Sequence, residues 1–124
     1  SSSEYSFINS IDDLMKNIGD LASQNNFDEI LIQLFENLSM IYGYVCLIID
    51  SLKKKIQESN KNFQLIQQSD ITRYSNCLNN IYDICLSTKT LLKLNENKFS
   101  HIQHYSIITN SFIQFYENLK VFRY

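Results

Sequence analysis

From Phe27 to Leu52 the apolar residues recur at intervals of 4-3-4-3-4-3-4, through Leu31, Leu34, Leu38, Ile41, Val45 and Ile48. A strand puts every second residue on one face. A repeat averaging 3.5 lines its side chains up only on a helix, where it forms a heptad seam. This seam predicts a helix over about 27–58 that buries one side against neighbouring helices. Asn26-Phe27-Asp28-Glu29 marks its start: Asn26 is the expected cap, with Glu29 reaching back and two acids in the first turn. Lys53-Lys54-Lys55 suits a helix C-terminus through the dipole.

Three further stripes follow the same logic. Ile8, Ile11, Leu14 or Met15, Ile18 and Leu21 predict a helix over about 4–23, with Ser10-x-x-Asp13 as an alternative internal start. Ile71, Tyr74, Leu78, Ile81, Cys85, Thr88 and Leu92 predict one over about 70–94, capped at Ser69–Asp70. Tyr105, Ile108, Phe112, Phe115, Leu119 and Phe122 predict one over about 101–124, opened by the capping box Ser100-x-x-Gln103. Asn60, Asn62 and flanking lysines interrupt the pattern after the second stripe, although Phe63 and Ile66 fit a continuation.

No period-2 run and no glycine-containing hairpin turn argues for a strand. Short connections between long helices make neighbours antiparallel. The expected fold is therefore all-α, an up-down-up-down four-helix bundle in a single domain over residues 1–124. Two long helical hairpins completing their core with another chain are the alternative. The chain starts Ser-Ser-Ser without a methionine, as expected of a domain excised from a larger protein. Asn, Ile, Tyr and Lys are abundant while Ala, Gly, Arg and Pro are scarce, a contrast that follows the codon bias of an AT-rich genome.

Charge is divided along the chain. Residues 1–50 carry eight acids and one base, Lys16, for a net of −7; residues 51–124 carry five acids and ten bases, for a net of +5. Either the halves neutralise each other in the bundle or they offer a two-signed docking surface. The bases are scattered rather than gathered in a stripe, so no nucleic-acid partner is expected. Cys46, Cys77 and Cys85 make an odd count with no C-x-x-C, which reads as a reduced intracellular protein, cytoplasmic or nuclear.

Little in the sequence supports catalysis. Gly19 and Gly43 are the two glycines, too few for a phosphate-cradling loop, and no cofactor is expected. The acid pairs Asp12/Asp13 and Asp28/Glu29 sit at helix starts and point about 100° apart, which suits capping and the dipole better than a catalytic dyad. His101 and His104 share a helix face and form the one constellation with metal-ligand spacing. Projection puts His101 at the centre of the last stripe and His104 at its edge. The expected role is a neutral pair closing the end of the core, with a metal or small-ligand site as the alternative. Tyr74, Tyr105 and Tyr116 are expected at the core edge with their hydroxyls turned outward.

The run Ser39–Asp50 is the least polar in the chain. It holds about ten apolar residues before Asp50, short of the roughly 20 that a spanning helix needs, so no membrane insertion is expected. Ile41, Val45 and Ile48 belong to the seam. The opposite side of the same helix carries Glu36, Ser39, Gly43, Cys46, Leu47, Asp50 and Lys54, and becomes small and apolar between Ser39 and Leu47, with Tyr42 and Tyr44 on its flanks. Ser39-x-x-x-Gly43 lets another backbone come close. A helix-interior glycine costs about 1 kcal/mol relative to alanine, which calls for a packing reason. Either the first helix crosses there, or a protein partner or a second copy docks there. The expected function is a non-enzymatic interaction or scaffold domain of an intracellular complex, with Ser39, Tyr42, Gly43, Tyr44, Cys46 and Leu47 binding the partner.

Overall fold

The computed structural model describes residues 2–62 and 68–121, with side chains over 8–58 and 71–121. It contains four helices: α1 (Ser2–Gln24), α2 (Glu29–Asn62), α3 (Gln68–Leu94) and α4 (Gln103–Lys120). They pack in a ring, α1 on α2, α2 on α3, α3 on α4, and α4 back on α1. This is the expected antiparallel four-helix bundle. The two hairpins close on each other around one core, which removes the need for a second chain to complete it.

The seams supply that core. Ile11, Leu14, Ile18 and Leu21 of α1 are buried, as are Leu31, Leu34, Leu38, Ile41 and Val45 of α2. α3 contributes Ile81, Cys85, Thr88 and Leu92, and α4 contributes Tyr105, Ile108, Phe112, Phe115 and Leu119. Burial is concentrated at one end of the bundle. Along α2 the seam weakens to half-buried Ile48 and Leu52, and Ile56 is exposed; along α3, Ile71 is exposed and Tyr74 and Leu78 are half-buried. Helix length explains this. α2 has 34 residues and α4 has 18, a difference of about 24 Å in rise. Tyr82 donates its hydroxyl to the Leu119 carbonyl at 3.0 Å, so the end of α4 lies level with Tyr82. Residues 71–78 of α3 and their partners on α2 reach past it.

Polar atoms inside are satisfied locally. Thr88 donates to the Ile84 carbonyl at 2.7 Å and Thr109 to the Tyr105 carbonyl at 3.0 Å. The Tyr105 hydroxyl does not turn outward. It is buried and donates to the Leu92 carbonyl at 2.7 Å, taking an acceptor in the last turn of α3. Burial, with the Glu96 carboxylate adding to it, pushes this hydroxyl up to about 12. The Tyr74 hydroxyl is also buried, and finds no hydrogen-bond partner among the described residues. Tyr116 is buried with Lys89 and Lys120 over its ring, at 5.9 and 5.2 Å.

Turn chemistry departs from the sequence expectations. The cap of α2 is Asp28, whose Oδ1 accepts the Ile30 amide at 2.8 Å, rather than Asn26. Asn26 and Phe27 lie at φ 55° and 53° in the left-handed region, so the chain reverses before the cap. Phe27 is 62% exposed and leaves the seam. α1 runs unbroken through Ser10, so Ser10-x-x-Asp13 is not a helix start. Ser69–Asp70 lie inside α3. The lysine triplet lies within α2, which continues to Asn62. Phe63, Ile66 and Phe122 lie outside the described residues. Between α3 and α4 a run of turns over 95–101 replaces the expected early start of α4. Ser100 donates to the Asn97 carbonyl at 3.0 Å instead of capping, and Ile102 precedes the helix with no side-chain cap. Phe99 is buried in this turn against Tyr105, ring centroids 4.9 Å apart. Lys98 reaches across to Asp28 at 2.8 Å, tying the two turns at this end together. That contact holds the Asp28 carboxyl below its ordinary value, helped by the Ile30 and Leu31 amides and opposed by desolvation.

Candidate functional site on the outer face of α2

α2 touches α1 on one flank and α3 on the other, which turns its third side away from the core. Gly43 is in the middle of that side and is exposed. A Cβ added at Gly43 would meet no atom within 4 Å among the described residues. α1 therefore does not cross α2 here, and the internal packing reason for this glycine fails. At the other glycine, a Cβ on Gly19 would come into ordinary contact with the Phe35 ring of α2, at 3.6 Å.

Around Gly43 the surface is apolar. Leu47 is 54% exposed and Met40 46%, and Ile32 is exposed as well. Ser39 is half-buried and donates its hydroxyl to the Phe35 carbonyl at 2.9 Å. That bond is internal to the helix, so covering Ser39 leaves no unsatisfied donor. Tyr42, Tyr44 and Cys46 are half-buried along the flanks. The neighbouring Cys46, one turn along the helix, holds the Tyr42 hydroxyl above its ordinary value. All six residues singled out from sequence thus lie on or beside one face. The sequence reading missed Met40 and Ile32, although the same 100° projection around Gly43 places both on it.

Next to this face, between α2 and α3, is a cleft of about 60 Å³ lined by Leu47, Ile48, Ser51, Arg73, Tyr74 and Cys77. A second cleft of about 190 Å³ between α1 and α4 is lined by Asn17, Asp20, Leu21, Gln24, His104, Ile107 and Ile108. His101 is not at the centre of an apolar stripe: it is exposed, in the turn before α4, because the helix starts later than its pattern suggested. His104 is exposed too. No group of three or more His, Cys, Asp or Glu converges on a metal-sized site among the described residues. Cys85 is buried, and desolvation pushes its thiol up to about 12, so it stays protonated and is a poor nucleophile near neutrality.

α2 is also more apolar than its central run suggests. A stretch within Glu29–Glu58 has a mean hydropathy of 1.5 and is long and apolar enough to cross a membrane, a test that core helices of soluble bundles also pass. Glu36 is its only charged residue between Ile30 and Ile49. That corrects the length argument made from residues 39–50 alone. In the bundle 28% of the stretch is buried. No protein-family model matches the chain, and no curated protein and no solved structure matches it.

Proposed function

We propose that this chain is a non-enzymatic interaction domain that binds a partner helix on the outer face of α2. The observation that carries the reading is Gly43: it costs helix stability, a Cβ there would meet no atom within 4 Å among the described residues, and exposed apolar side chains flank it. A glycine there permits close approach of a second backbone, and Met40 and Leu47 supply the area that excludes water. The three free thiols support an intracellular setting.

The test compares Gly43→Leu with Leu86→Ala. Leu86 is similarly exposed but faces outward from α3. Both variants are expected to keep the helical circular dichroism of the wild type. Association with the protein that co-purifies with the native chain, read by light scattering, is expected to fall with Gly43→Leu and to survive Leu86→Ala. Association unaffected by Gly43→Leu refutes the reading, as does unfolding of that variant.

A further inference from the structure

Taking the outer face of α2 as a docking surface, the positions of two acids decide what kind of helix fits it. Glu36 and Asp50 are exposed, and each stands seven residues from Gly43, one on either side. Seven residues fall about 20° short of two full turns and rise about 10.5 Å, so all three positions share the face.

A second copy of the chain fits this arrangement badly. If two α2 helices crossed antiparallel at Gly43, Glu36 of each would meet Asp50 of the other. If they crossed parallel, each acid would meet itself. Both pairings set like charges against each other at both ends of the contact. Residues 1–50 hold eight acids and a single base, and the lysines at 53–55, with Lys54 on the same side of α2, lie past Asp50, outside the stretch between the two acids. Nor does another helix of the chain supply the complement, since no two of its basic residues are 13 to 15 positions apart.

We propose that the α2 face takes a basic amphipathic helix from another protein, with a small residue at closest approach and Lys or Arg about seven positions to either side. The proposal rests on the docking reading above. Each base then meets one acid, Glu36 or Asp50, and the symmetric spacing accepts either direction of the partner. Met40 and Leu47 provide the desolvated centre. A contact about 21 Å long between two helices is small, so binding is weak, salt-dependent and set in register by its charged ends.

The chain itself provides a probe. The double variant E36K/D50K presents the same glycine-centred face with two bases at the required spacing. Wild type and double variant are mixed 1:1 at low salt and followed by sedimentation, with circular dichroism confirming that both fold. The expected result is that each is monomeric alone and that the mixture forms a 1:1 complex at least about tenfold tighter than either self-association. Raising salt by about tenfold weakens it, and Gly43→Leu in either chain abolishes it. A mixture that stays monomeric overturns the proposal. A wild-type chain that dimerises alone and is dissolved by Gly43→Leu overturns it too, while leaving the docking reading intact. A complex indifferent to Gly43→Leu removes the face itself. Flotation of the wild type with neutral phosphatidylcholine vesicles would make α2 a membrane segment, and both readings would fall.

Discussion

Replacing Gly43 by alanine should make the protein more stable. Glycine in a helix interior costs 0.8–1 kcal/mol relative to alanine, because the unfolded chain it leaves behind is more flexible (about 1 kcal/mol is the working figure). Gly43 lies well inside α2, which runs from Glu29 to Asn62, and its φ is not positive, so alanine fits the backbone unstrained. The new methyl group would meet nothing within 4 Å, so no steric term offsets the gain. For 124 residues the unfolding entropy is about 0.26 kcal/mol per degree, which converts about 1 kcal/mol into a rise of about 4 °C in Tm. Thermal and urea melts followed at 222 nm measure it. Gly19→Ala is the comparison, since its methyl would lie at ordinary contact distances of 3.6 and 3.8 Å from the Phe35 ring, and it should stabilise by a similar amount. A lower Tm for Gly43→Ala beside a higher one for Gly19→Ala would refute the reasoning, because it would mean that part of the same chain already covers Gly43. The outcome also matters for docking: if alanine is better for the fold, glycine at this position is retained for something other than the fold.

Other measurements probe other parts of the structure. Asp28→Ala removes the α2 cap and the tie to Lys98, and should cost about 1 kcal/mol in urea melts; an unchanged midpoint would count against that cap. Because the Asp28 carboxyl is held below its ordinary 3.8, its contribution is present above that pH and is lost as pH falls below it, so wild type and Asp28→Ala should converge in acid. Thiol labelling of the native protein near pH 8 should modify Cys46 and Cys77, which are half-buried, and spare Cys85; rapid labelling of all three would contradict a buried thiol pushed up to about 12. Tyr74→Phe removes a buried hydroxyl that lacks a partner among the described residues, and should be neutral or stabilising by up to about 1 kcal/mol; a loss of stability would reveal an acceptor for it.

The heptad seam by itself determined the fold class, the number of helices and most of the core. Leu31 to Val45 and Ile81 to Leu92 lie buried as their spacing demands, because periodicity is a local consequence of helix geometry. The glycine-centred outer face of α2 was legible for the same reason: seven residues on one side of a helix are related by angle alone. Helix ends were not legible. The Asn26–Phe27 reversal and the turns over 95–101 are set by which backbone groups find partners in space, as when Lys98 reaches Asp28, so Phe99 entered the core and His101 left it. The extent of burial along each seam was decided by relative helix length, since Ile71 matches the pattern of α3 yet is exposed past the described end of α4. Whether α1 crosses at Gly43 was likewise a tertiary question. Sequence marks where a close approach is possible, but only the tertiary structure showed that none of the described residues makes it at Gly43.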